Sequence, residues 1–141
     1  MPVSGKKIFA SIANTNFANQ PSLINETPLA ENNLRIIFLG TPEFAVATLQ
    51  KLVENGVQIV AVVTAPDKPS GRGLKLTFSP VKEYALSQNI PVLQPTNLKS
   101  EEFQKELKRY NADLQIVVAF RMLPEAVWNM PRLGTFNIHA S

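Results

Sequence analysis

A strand–helix–strand pattern in residues 35–64 constrains the fold of this chain more than any other feature. Residues 35–39 form an almost continuous apolar run that ends at Gly-Thr-Pro (40–42), as is typical of a buried parallel strand. Apolar side chains then recur at helical spacing over residues 44–53, and a second apolar run covers residues 57–64. A strand, a helix and a strand of these lengths make a βαβ unit, which predicts a parallel sheet with a right-handed crossover.

The same alternation of strands and helices continues to the end of the chain. Ser79-Pro80 suits the start of a helix, because serine is a good N-cap and proline fits the first helical turn. Similar signals predict a helix over residues 80–88, a strand over 90–93, a helix over 100–110, a strand over 114–119, a short helix over 124–129 and a strand over 135–139. The order βαβαβαβαβ predicts the α/β class: a doubly wound, mostly parallel, Rossmann-like sheet.

Composition narrows the class of protein. With 141 residues, of which 45% are apolar and 18% charged, the chain is suited to one folded domain rather than to disorder. No apolar run approaches the roughly 18 residues that a membrane span needs, so we predict no membrane partner. The chain contains no cysteine and one histidine, so we predict neither disulfides nor a metal site.

Residues 1–33 differ from the rest of the chain. They contain six asparagines and three prolines and show no hydrophobic period. We therefore interpret residues 1–33 as a flexible N-terminal extension that contributes little to stability, and residues 34–141 as the folded part.

A basic segment between Pro66 and Lys82 carries the whole charge excess of the chain. It contains four basic residues and one acid, which gives +3, and the net charge of the chain is also +3. Its Ser-Gly-Arg-Gly sequence (70–73) suits the tip of a loop, and we expect Lys82 on the exposed side of the following helix. Such a loop is either a solvated surface or a contact for the phosphates of a nucleic acid.

The last strand carries the best candidates for catalysis. Because strand side chains alternate between faces, Asn137 and His139 are predicted to share a face near the carboxyl end of the strand, where α/β sheets bind ligands. His139 is the sole histidine of the chain and thus the natural candidate for proton transfer near neutral pH. A purely structural role for this histidine is the alternative that the strand alone leaves open.

The turn after the first strand argues against a nicotinamide dinucleotide. Residues 40–45 (GTPEFA) lack the second and third glycines of the G-x-G-x-x-G pattern, so little room is left for a pyrophosphate. Asp67, beyond the second strand of the βαβ unit, is a weak candidate for a ribose-binding acid.

Six stretches of the chain, taken together and in order, resemble the methionyl-tRNA formyltransferase family. They are residues 35–45 (RIIFLGTPEFA), 63–73 (VTAPDKPSGRG), 79–82 (SPVK), 91–95 (PVLQP), 130–134 (MPRLG) and 137–141 (NIHAS). The resemblance runs from Leu34 to Ser141 and implies that residues 34–141 are the N-terminal part of a formyltransferase catalytic domain. Residues 1–33 have no counterpart in it.

The resemblance implies a reaction and a catalytic set. The family transfers a formyl group from 10-formyltetrahydrofolate to the α-amino group of methionine on initiator tRNA. Its catalytic asparagine and histidine match Asn137 and His139, and its catalytic aspartate lies further along than Ser141. Neither Asp67 nor Asp113 stands in that place. We therefore expect the 141 residues alone to be inactive, with the edge of their last strand unpaired.

The resemblance also assigns binding residues. In related folate enzymes the backbone of the loop after the fourth main strand holds the pterin ring, a role that carries over to Arg121, Met122 and Leu123 although the loop is one residue shorter here. Ser141 begins the folate-contacting turn of the family. The basic loop of the family approaches the tRNA acceptor stem, which implies RNA contacts at three residues of the basic segment: Lys68, Arg72 and Lys75.

The resemblance further implies a cytoplasmic enzyme that is a monomer at full length. Two other functions stay open from the sequence. One is a related folate-dependent formyltransferase that acts on a small amine. The other is a non-catalytic module that binds RNA or a nucleotide.

Overall fold

The computed structural model describes residues 9–13, 34–70, 73 and 75–139. The strands are β1 Phe9–Ala13, β2 Ile36–Gly40, β3 Ile59–Val63, β4 Lys68–Ser70, β5 Lys75–Thr77, β6 Val92–Leu93, β7 Leu114–Val118 and β8 Thr135–His139. The helices are α1 Glu43–Glu54, α2 Pro80–Ser87, α3 Glu101–Arg109 and α4 Glu125–Trp128. Among these residues no helix combines the length and the apolar character that crossing a membrane requires.

Six strands form one parallel sheet in the order β1-β8-β7-β2-β3-β6. The three central strands β2, β7 and β3 pack almost entirely apolar side chains on both sides, which is why their sequences are continuous apolar runs rather than alternating ones. The predicted α/β class is thus confirmed, and each predicted strand and helix after residue 34 is present within a few residues of its expected bounds.

Helices cover both faces of the sheet. Phe38 of β2 packs with Leu49 of α1 and with the buried residues of α2 on one face. Its neighbour Ile37 packs with Phe103 of α3 and with Val127 of α4 on the other. The single strand β2 therefore contributes to two hydrophobic cores, as a doubly wound fold requires.

Two features were not predicted. β1 pairs in parallel with β8 along its whole length, from Phe9 beside Thr135 to Ala13 beside His139. The expectation of an unpaired edge on the last strand was therefore wrong, because the partner comes from a segment whose sequence has no strand pattern. The other 28 residues of segment 1–33 lie outside the described part, and their interpretation as a flexible extension stays a prediction. The second feature is an antiparallel hairpin of β4 and β5 within the predicted loop.

Gly40 ends β2 at a point where no side chain fits. A Cβ atom placed there would lie 2.8 Å from the carbonyl oxygen of Val118, the last residue of β7. That oxygen belongs to the backbone of a buried strand and cannot move aside like the end of a flexible side chain.

We expect Gly40→Ala to destabilise the fold by about 1–3 kcal/mol, the usual cost of overpacking a core. Urea unfolding of the wild type and the variant measures this. Ala47→Gly, in the exposed middle of α1, provides a comparison in which only helix propensity changes. An unchanged unfolding midpoint for Gly40→Ala would contradict the close approach of β2 and β7.

Candidate functional site

The sheet has a topological switch point between β2 and β7. The chain leaves β2 toward α1 on one face and leaves β7 toward α4 on the other, so the two connections diverge and open a cleft at the carboxyl ends of the strands. The cleft has a volume of about 500 Å³. Its lining comes from the turns after β2, β3 and β7: Thr41, Ala65, Pro66, Lys68, Ala119, Phe120 and Arg121.

Three hydroxyl groups tie together the turns on one side of the cleft. The Thr64 Oγ1 and Ser79 Oγ atoms are 2.8 Å apart, and Thr64 Oγ1 lies 3.5 Å from Thr41 Oγ1. The backbone N–H of Ala65 donates to Thr41 Oγ1 at 3.2 Å. These bonds fix the turn after β2 against the turn after β3 and the start of α2. The sequence predicted Ser79 as a helix cap, which its 3.0 Å bond from the Lys82 N–H confirms, but gave no signal for its contact with Thr64.

The loop after β7 forms the opposite wall of the cleft. Ala119 adopts a left-handed backbone conformation with φ +52°, which turns the chain sharply away from the strand. The guanidinium of Arg121 then donates to the backbone carbonyls of Pro95, at 2.8 Å, and Thr96, at 3.2 Å. It also lies 5.0 Å from the centre of the Phe120 ring. Arg121 thus fastens this loop to the segment that follows β6.

The three residues predicted to hold the pterin through their backbones differ in their side chains. Arg121 is exposed and lines the cleft, Met122 is 91% exposed, and Leu123 is buried in the core. The side chain of Leu123 is therefore not available to a ligand. The predicted backbone contacts of these residues stay predictions.

Asn137 and His139 occupy the carboxyl half of β8. Asn137 is half-buried and pairs in register with Val117 of β7, whose side chain belongs to the core beneath α3 and α4. Since partners in a parallel ladder share a face, Asn137 lies on that same face. His139 is the last residue of the strand and is in register with Ala13. Ser141 lies outside the described residues.

Two of the three predicted RNA contacts lie on the hairpin of β4 and β5. Lys68 in β4 and Lys75 in β5 are both exposed, and Lys68 also lines the cleft. Arg72 lies outside the described residues. The structure therefore brings one predicted RNA residue, Lys68, and one predicted folate residue, Arg121, to the same cleft.

Lys82 does not extend into solvent as expected from the sequence. Its ammonium donates to both carboxylate oxygens of Asp67, at 2.9 and 3.1 Å, and the side chain is only 13% exposed. Gln94 Nε2 also donates to Asp67, at 2.7 Å. The hydrogen bonds from Lys82 and then from Gln94 hold the pKa of Asp67 below its ordinary value. Asp67 is thus engaged within the protein, which removes it as a candidate for binding ribose.

Asp113 lies just before β7, at the amino ends of the strands and thus at the opposite end of the sheet from the cleft. It accepts from the backbone N–H of Arg35 and from Arg132 Nε, both at 2.9 Å, and these bonds, the former most of all, lower its pKa. That Asp113 is not the catalytic aspartate stays a prediction. Within the described ranges, no three His, Cys, Asp or Glu side chains are grouped so that they could hold a metal ion.

Comparison with known proteins gives a consistent result. Residues 34–141 match the family model described as formyl transferase. A methionyl-tRNA formyltransferase from Bacteroides thetaiotaomicron is 63% identical over 113 residues, which are 80% of this chain and 35% of that protein. One from Flavobacterium johnsoniae is 65% identical over 108 residues, which are 77% of this chain and 34% of that protein. The chain thus spans about a third of the length of these curated relatives.

Proposed function

Since this chain belongs to the formyl transferase family, we propose that the protein containing it formylates the methionine of initiator methionyl-tRNA for translation initiation. The formyl donor is 10-formyltetrahydrofolate. One observation carries the proposal: Asn137 and His139 lie near the carboxyl end of β8, beside the strand that leads into the switch-point cleft. The similar curated proteins are named methionyl-tRNA formyltransferase, which supports methionyl-tRNA as the acceptor of the formyl group.

The cleft suits the folate. A volume of about 500 Å³ is within the usual range for pockets that bind small molecules, roughly 300–1,000 Å³. The Phe120 ring and Pro66 provide apolar surface, and Lys68 provides a cation for the carboxylates of a folate tail. The backbone of residues 121–123 offers hydrogen-bonding groups for the pterin. The donor supplies the formyl carbon, and the protein has to orient that carbon and stabilise the charge of the reaction.

Asn137 and His139 provide that stabilisation. Attack by the methionyl amine forms a new C–N bond at the formyl carbon, while the bond from this carbon to the folate nitrogen breaks. Negative charge develops on the formyl oxygen in between, and the amide N–H of Asn137 donates to it. His139 moves a proton from the attacking amine toward the departing folate nitrogen. The reaction requires neither a covalent nucleophile nor a metal ion.

The hairpin of β4 and β5 provides the surface for the tRNA. Lys82 and Asp67 neutralise each other, so the excess charge of the basic segment is that of Lys68, Arg72 and Lys75. These cations contact phosphates of the acceptor stem, which positions the RNA without reading its sequence. We place the enzyme in the cytoplasm, as a monomer.

The test is a formyl-transfer assay on the full-length protein with 10-formyltetrahydrofolate and three acceptors: initiator methionyl-tRNA, free methionine and glycinamide ribonucleotide. We expect transfer to the methionyl-tRNA and at least 10³-fold lower kcat/KM for the two small amines, because they lack the RNA contacts. Efficient transfer to a small amine would instead establish the related small-amine enzyme. Absence of transfer together with retained RNA binding would establish a non-catalytic module.

A further inference from the structure

We propose that Lys82, Asp67 and Gln94 form a clamp that fixes the direction of the basic hairpin, defined as residues 68–77, which begin with β4 and end with β5. The three side chains thereby act as positioning residues for RNA. The inference rests on the proposed function, because it concerns how the hairpin meets the tRNA.

The first strand of the hairpin is held through Asp67, which directly precedes β4. Both carboxylate oxygens of Asp67 accept hydrogen bonds from the Lys82 ammonium, at 2.9 and 3.1 Å. Gln94, which follows β6, donates to Asp67 at 2.7 Å and to the carbonyl of Ala65 at 3.1 Å. The start of the hairpin is therefore connected to helix α2 and to the end of β6.

The second strand of the hairpin is held through Phe78, which directly follows β5. The Lys82 ammonium lies 3.7 Å from the centre of the Phe78 ring, within the range of a cation–π contact. The Lys82 side chain is 13% exposed, and partial removal from water strengthens both of its interactions. One ammonium group thus joins the beginning and the end of the hairpin.

The hairpin needs such support. Lys68 and Pro69, the first two residues of β4, are exposed, and so are all residues of β5. An isolated two-stranded hairpin is only marginally stable in water. Its direction is consequently set by its base, where the clamp lies.

Whether RNA affinity rises or falls when Asp67 is replaced distinguishes the clamp from simple electrostatics. Asp67 carries a negative charge next to a basic surface. If charge alone governed RNA binding, its removal would strengthen binding. If Asp67 positions the hairpin, its removal weakens binding despite the more favourable net charge.

We expect Asp67→Asn in the full-length protein to weaken binding of an initiator tRNA transcript by about tenfold at constant salt. The binding of 10-formyltetrahydrofolate should be retained within a few-fold, since Lys68 is the hairpin residue that also lines the cleft. Lys82→Met should weaken RNA binding similarly, whereas Lys82→Arg, which retains both the ion pair and the ring contact, should restore affinity to within about twofold. Filter binding across a salt series measures the affinity, and thermal melting verifies that each variant is folded.

Asp113→Asn is the matched control, since Asp113 likewise pairs with a basic side chain and accepts a neutral hydrogen bond, but lies at the amino ends of the strands, away from the hairpin. It should change stability and not RNA affinity. Stronger or unchanged RNA binding by Asp67→Asn, while Lys68→Ala and Lys75→Ala weaken binding, would overturn the clamp and leave the proposed function intact. If Lys68→Ala and Lys75→Ala also leave RNA affinity unchanged, the hairpin is not an RNA surface, and both proposals about it fail. Should Asp67→Asn not fold, Gln94→Leu decides the question, because it removes the clamp's bonds to Asp67 and Ala65 without changing any charge. Weaker RNA binding by Gln94→Leu would support the clamp, and unchanged binding would overturn it.

Discussion

Replacing Asn137 with alanine in the full-length protein is expected to lower kcat for formyl transfer by about 10²- to 10³-fold, the usual cost of losing one donor to a developing oxyanion. Because the amide acts on charge that forms during the reaction, KM for the tRNA and for the folate should change little. His139→Ala should reduce kcat by a similar factor, about 10²- to 10⁴-fold, through loss of proton transfer. Steady-state kinetics with each substrate varied in turn measures both effects.

The double variant provides a sharper test. If the two residues act on the same step, combining Asn137→Ala with His139→Ala should lower kcat by less than the product of the two single fold reductions. The reason is that the effects of groups that act as a unit are not additive. Asn55→Ala is the control, since Asn55 caps the far end of α1, and its amide donates to the Lys51 carbonyl at 2.7 Å. That variant should leave kcat unchanged. A wild-type kcat in Asn137→Ala would contradict the proposed mechanism.

Removing the three cations of the basic hairpin together should have the second large effect. We expect Lys68→Ala, Arg72→Ala and Lys75→Ala combined to weaken tRNA binding by about 10²-fold or more near 0.1 M salt, because each lost phosphate contact removes close to one unit from the slope of log K against log salt. The slope should decrease in magnitude by about 2–3. The affinity for folate, measured by isothermal titration calorimetry, should change by no more than a few-fold. Of the two cations that the structure describes, Lys68 and Lys75, only Lys68 lines the cleft, so its loss is the one that should weaken folate binding.

A second triple variant controls for net charge. Lys51, Lys105 and Lys108 are exposed on α1 and α3, away from the hairpin, and their replacement by alanine removes the same charge. It should change tRNA affinity by no more than about twofold, through long-range attraction alone. Equal losses in the two triple variants would mean that the overall charge of the protein, and not this hairpin, attracts the RNA.

The architecture could be predicted because its signals are local. The apolar run before Gly40, the Ser79-Pro80 cap and the glutamates at the start of α3 each depend on neighbouring residues, and each is found where it was expected. β1 could not be predicted, because its pairing depends on β8, more than 120 residues away along the chain. The β4–β5 hairpin was not predicted for another reason. Its glycines and prolines are equally consistent with an irregular loop and with a turn between two short strands.

The candidate site was predictable to a different degree. Strand alternation predicted that Asn137 and His139 share a face, and both residues belong to β8; their catalytic role stays a prediction. The ion pair of Lys82 with Asp67 was missed, since helix periodicity predicts which residues are exposed but not which partner a long side chain reaches. The left-handed conformation of Ala119 also gave no signal, because the residue is not glycine, asparagine or aspartate.

The backbones of β2 and β7 approach so closely at Gly40 and the Val118 carbonyl that no side chain fits between them. This approach fixes the separation of the two strand ends, and we expect the floor of the cleft to keep its width when a ligand binds above it. Insertions and deletions that begin after residue 119 change only the walls. We therefore expect sequence changes within the 119–124 loop to alter ligand binding in the cleft while the unfolding free energy of the sheet changes little.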